Sequence, residues 1–83
     1  MPLHPTHPEV AKRLRRAEGH LRTTIRMLEQ GRECLDLAQQ LQAVENAIAA
    51  AKKTLIHDHL DHCLRESAGR DAVAEFKAIS RYL

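Results

Sequence analysis

The sequence is short of aromatic residues, glycine and proline, and each shortage narrows what the chain can build. Aromatic side chains make up only 2% of the 83 residues, with one Phe, one Tyr and no Trp. A core must therefore come from Leu, Ile, Val and Ala, which suits helices, and a chain this short buries little unless it associates. Without aromatic platforms, base stacking on single-stranded nucleic acid is excluded as a binding mode. No apolar run approaches the roughly 20 residues of a membrane span, and MPLHPTHPEV is too polar for a signal peptide. A cytoplasmic protein with no membrane partner is the expectation. There are only two cysteines, Cys34 and Cys63.

What remains favours helix, and the stretch from Cys34 to Cys63 organises it. It contains neither Gly nor Pro and has an alanine-rich centre. The spacing predicts one long helix from Arg32–Cys34 to about Ser67, with Gly69 as its stop. At about 100° per residue, Cys34, Leu41, Glu45, Ile48, Lys52, His59 and Cys63 lie within about 40° of one line. His59 and Cys63 are one turn apart, so both can reach one ion, and Cys34 shares their line. Two thiolates and an imidazole suit Cu(I) or Zn. Three ligands favour Cu(I), which accepts trigonal coordination, whereas Zn takes a fourth.

One helix cannot close this site. Cys34 and His59 are separated by about 37 Å of helix at 1.5 Å per residue, far beyond metal-ligand or disulfide distances. A second copy running antiparallel resolves the problem by setting Cys34 beside the partner copy's His59 and Cys63. In that register Ile48 meets Ile48 at the two-fold axis, Leu41 meets Leu55 or Ile56, and Glu45 meets Lys52. Two equivalent Cys-His-Cys sites follow, as an isologous dimer requires. The alanines at 47 and 49–51 are expected to let helices approach closely near that axis. His57 points about 160° from His59, and His62, beside Cys63, is a possible but less well aligned replacement ligand.

The rest of the chain reads as two more helices and an arm. Residues 1–7 form a flexible arm, with Thr6 or His7 as cap and Pro8 in the first turn. Helix 1 runs to about Gln30 with Val10, Leu14, Ala17, Leu21, Ile25 and Leu28 on one stripe, and Gly31 ends it. Gly19 sits mid-helix at a cost of about 1 kcal/mol against Ala, which points to close approach by something there. Helix 3 is short, capped by Asp71, and packs Ala72, Val73, Phe76, Ile79 and Leu83 back on the bundle. The fold class is all-α, with three helices per chain and an antiparallel four-helix bundle formed by a dimer. Residues 1–83 form one domain.

Charge is uneven along the chain. Residues 1–32 hold seven Lys/Arg and three Glu, a balance of +4, whereas residues 33–83 hold six Lys/Arg and eight Asp/Glu, a balance of −2. Lys12, Arg15, Arg16, Arg22 and Arg26 lie opposite the apolar stripe of helix 1. Such a face is either solvated or set against a phosphate backbone. No helix-turn-helix signature accompanies it.

The run RLRRAEGHLR, then C-x5-Q-x2-A-V, then H-x3-C, resembles the small helical copper-sensing repressors of the CsoR/RcnR-type metal-sensor family, from about Arg13 to Tyr82. The Cys34, His59 and Cys63 triad matches the copper-sensor pattern of that family position by position. The resemblance implies a disc-like tetramer, a dimer of dimers. It also implies Cu(I) held between chains, and release of an operator that controls copper efflux. Arg13, Arg15, Arg16 and Arg22, with Lys52 or Lys53, are the DNA-binding candidates. Two positions depart from the pattern: Glu33 replaces the Tyr usual before the first Cys, and His20 replaces a usual Gln. Glu75 corresponds to the acid of the last helix that bonds that Tyr. Two carboxylates cannot reproduce a Tyr–Glu hydrogen bond unless one is protonated. His4 and His7 of the arm can supply a fourth ligand, which opens the site to Zn or Ni.

The expected function is therefore a metal-responsive transcriptional repressor. Two other readings compete with it: an aldehyde- or persulfide-responsive repressor of the same family, and a metal buffer or chaperone that ignores DNA. An enzyme is not expected, because no acid/base pocket converges and a bundle seam has little room for substrate.

Overall fold

Three helices follow one another in the computed structural model: α1 (His7–Glu29), α2 (Cys34–Glu66) and α3 (Arg70–Ser80). It describes residues 6–66 and 70–83, and the side chains of 6–61 and 73–83. Pro8 belongs to the first turn of α1, where its fixed φ favours the helix and its missing N–H goes unused. The expected arm is therefore shorter than 1–7 on its helical side, since His7 is already helical and Thr6 is the cap. Thr6 caps with its carbonyl, which accepts from the Val10 N–H at 2.9 Å. Its hydroxyl makes no capping bond.

The far end of α1 closes in a Schellman motif. Gly31 adopts φ +72°, a region open to glycine at no steric cost. The Arg32 N–H donates to Met27 O and the Gly31 N–H to Leu28 O, both at 3.1 Å, satisfying carbonyls the helix end would otherwise orphan. This tight reversal sends α2 back along α1. The Glu33 carbonyl accepts from the Leu37 N–H at 3.1 Å and opens α2. α2 is unbroken over 33 residues, or about 50 Å at 1.5 Å per residue. That accounts for the longest dimension of the chain, 54 Å. The expected stop, Ser67 and Gly69, lies outside the described residues. α3 begins one residue before the expected cap, so Asp71 belongs to its first turn. An acidic residue is favourable in either place.

The α1–α2 seam has a seven-residue repeat. Val10, Ala17 and Thr24 of α1 are buried with Leu37, Val44 and Ala51 of α2, and Ile56 extends the buried row along α2. Repeats of seven keep one stripe facing the partner along antiparallel helices. Thr24 tolerates burial because its hydroxyl donates to His20 O at 3.0 Å.

Only part of the expected apolar stripe of α1 enters this seam. Leu14, Leu21, Ile25 and Leu28 remain exposed, as do Leu41, Ile48 and Leu55 of α2. Helical geometry places both sets on the same side of the hairpin. The chain measures 24 × 13 Å across α2, so it is a slab one helix thick, which buries the seam and leaves a broad apolar side open.

The alanine cluster acts differently from the expectation. Ala51 is buried in the intrachain seam. Ala47 and Ala50 line a cavity on the slab side away from Ile48, because each is rotated by more than about 90° from it. Among the described residues α3 packs on α2 alone, and Val73 and Phe76 stay exposed.

Candidate metal centre and cationic face

The imidazole of His59 projects from α2 and donates from Nε2 to Glu75 Oε1 of α3 at 2.9 Å. A carboxylate at Nε2 makes that nitrogen the N–H donor and holds the ring in one orientation. This is how metal-binding histidines are commonly oriented. Through this bond α3 carries Glu75 to His59. His59 is 29% exposed and Glu75 50%, so the pair stands at the rim of the slab, open to a second surface.

Cys34 is the first residue of α2, exposed and in no disulfide among the described residues. The unbroken helix keeps it about 37 Å from His59. Among the described residues, no three His, Cys, Asp or Glu side chains converge on a metal within one chain. α2 carries Cys63 one turn beyond His59, and His62 just before it, with both side chains outside the described ones. His4 lies outside the described residues too. His7 opens α1, whose first turn lies against the later half of α2. There Thr6 shares a groove with Thr54, His57, Asp58 and Asp61. His7 is thus at the His59 end of the hairpin, and Glu33 at the other. Within one chain the structure brings Glu75 to His59 and leaves Glu33 remote.

The cations separate by surface. Arg13 pairs with Glu9 at 3.5 Å and Arg22 with Glu18 at 3.8 Å, both exposed i,i+4 pairs that contribute about 0–1 kcal/mol. Arg15 and Arg16 take part in no ion pair among the described residues, nor do Lys12 and Arg26, and all four are exposed. Lys52 and Lys53 are exposed as well. Lys52 shares the Cys34–His59 line, and Lys53 is turned about 100° away from it.

One contact was not foreseen: His20 Nε2 donates to Gln40 Oε1 at 2.6 Å, tying α1 to α2. His20, Arg13 and Arg16 line a cavity of about 220 Å³ with Ala17, Ala47 and Ala50. The cavity opens on the slab side opposite the exposed leucines.

Comparison with known proteins matches the sequence to repressors. The family model described as metal-sensitive transcriptional repressor matches residues 6–82, which takes in all three helices. The copper-sensing transcriptional repressor RicR of Mycobacterium tuberculosis is 43% identical over 54 residues, covering 65% of this chain and 56% of that protein. CsoR of Mycobacterium ulcerans is 43% identical over 51 residues, covering 61% and 44%. CsoR of Bacillus subtilis is 32% identical over 71 residues, covering 81% and 70%. The chain thus spans about half the length of the two mycobacterial relatives. No solved structure matches the chain. A family match along 6–82, on a three-helix chain with Cys34 and His59 on one line of α2, carries the assignment: the chain belongs to the metal-sensitive transcriptional repressor family.

Proposed function

We propose that this chain is a copper-responsive repressor that binds operator DNA and releases it when Cu(I) is bound. Cys34 of one copy with His59 and Cys63 of another would hold the ion. The observation that carries the reading is the Glu75 carboxylate on His59 Nε2, an orienting partner of the kind that metal-bound histidines have. The donor set, thiolates with an imidazole, suits Cu(I). The names of the relatives, copper-sensing repressors, point the same way.

The assembly belongs to the same proposal. Leu14, Leu21, Ile25, Leu28, Leu41, Ile48 and Leu55 are exposed on one side of the slab. A second slab laid antiparallel covers them, completes a four-helix bundle and brings Cys34 to the other copy's His59. Two such dimers make the tetramer. Arg15 and Arg16 carry the DNA affinity, because no acid among the described residues pairs with them. Residues 1–83 act as one metal-sensing and DNA-binding domain.

The test is a mobility shift on the chain's own promoter, with Cu(I) buffered by a competing chelator. Parent protein shifts the promoter and loses it as Cu(I) rises. A protein that binds Cu(I) but never shifts the promoter is a buffer, and the proposal fails. Glu75→Gln is expected to weaken Cu(I) binding by about 10–100-fold while leaving metal-free DNA binding unchanged. Unaltered Cu(I) affinity in that variant would place Glu75 outside the metal site.

A further inference from the structure

Gly19 sits in the middle of α1, where glycine is a poor choice of residue. Nothing among the described residues outside its own helix requires it. A Cβ built there meets no atom within 4 Å, and φ is not positive. The residue lies opposite the buried Val10, Ala17 and Thr24, so packing on α2 does not explain it either.

Its surroundings are specific. On a helix surface the neighbours of a residue are those three and four positions away, which for Gly19 are Arg15, Arg16, Arg22 and Thr23. Lys12 and Arg26 follow one turn further out along the same strip. Five cations therefore ring a point where the helix has no side chain. Among the described residues, Arg22 alone of the five has an acidic partner. Thr23 is turned inward along the helix, its hydroxyl donating to Gly19 O at 3.2 Å, which keeps the saddle shallow.

We infer that Gly19 is the point of closest approach between α1 and the sugar-phosphate backbone of duplex DNA. The missing side chain lets phosphates settle against the helix backbone, while the surrounding guanidinium groups reach them from both sides. A second copy of this chain is the poorer occupant, since it would set two such cationic rings against each other. The inference rests on the DNA-binding reading above and locates its centre.

Gly19→Ala and Gly19→Leu test it, because a structural role and a contact role predict opposite outcomes. Both replacements favour helix, and the space is open, so the melting temperature of the metal-free protein is expected to rise by about 2–8 °C for Ala. Promoter affinity in a mobility shift is expected to fall severalfold for Ala and at least tenfold for Leu. Cu(I) affinity against a chelator is expected to stay within twofold. Unchanged promoter affinity in a stabilised Gly19→Leu variant overturns the inference alone. Loss of affinity together with a changed mass by light scattering assigns the saddle to a contact between copies and overturns it too. A parent chain that shifts neither the promoter nor a random duplex sinks the DNA reading and this inference together.

Discussion

Cys34→Ala chains and His59→Ala/Cys63→Ala chains are each expected to lose high-affinity Cu(I) binding, and to regain it when mixed. The physical reason is length. α2 runs unbroken from Cys34 to Glu66, and at 1.5 Å per residue it keeps Cys34 about 37 Å from His59. A metal-ligand bond spans about 2.0–2.3 Å. Bending cannot close that distance, because the stretch contains neither Gly nor Pro to kink it. Within a mixed dimer, one end has lost all three ligands while the other keeps Cys34 from one chain and the His59–Cys63 pair from its mate. Half of the parent stoichiometry at near-parent affinity is therefore expected, against losses exceeding about 100-fold in each pure variant, since first-sphere ligands matter more than the outer partners worth 10–100-fold. Cu(I) titration of purified heterodimers against a chelator reads the result. Heterodimers that bind no better than the pure variants would defeat the cross-chain site.

Ile48→Asp is expected to take the assembly apart. Ile48 is 45% exposed in the single chain, within the row that includes Leu41 and Leu55. In the antiparallel register it meets its own copy at the two-fold axis, so one substitution sets two carboxylates against each other. A buried charge without a partner costs about 3–5 kcal/mol, enough to shift a dimer to monomers at micromolar concentration. Light scattering should report half the parent mass or less, and Cu(I) binding should fall with it. If Ile48 faces water, the substitution changes neither. Glu45 and Lys52 flank Ile48 on the same line, both exposed and neither in an ion pair among the described residues. Reversing either charge alone should weaken the dimer, and exchanging the two residues should restore much of the loss. Equal behaviour of single and double variants would put helix 2 in another register.

How much of this was legible beforehand differs from residue to residue. Helix existence and type were, because they depend on local causes. Pro8 at a first turn, Gly31 at a left-handed C-terminus, and a long interval free of Gly and Pro each act through backbone conformation alone. The alignment of Cys34 with His59 was legible for the same reason, since helical period fixes which residues share a side. Departures fell at the ends, where His7 is already helical instead of part of the arm and α3 begins at Arg70 before Asp71.

The amino-acid sequence by itself thus determined three helices, the alignment of Cys34 with His59 along α2, and the cationic strip around Gly19. Only the tertiary structure decided how the apolar residues divide. Period alone marks Val10, Leu14, Ala17 and Leu21 as one stripe, but the small residues Ala17, Thr24 and Ala51 set which part closes the seam and which part stays open. Tertiary structure also decided the partners of the two histidines: Glu75 reaches His59 across 16 positions, and Gln40 reaches His20 across 20. No periodicity encodes such pairs, because they depend on where a reversal of chain direction brings one helix against another.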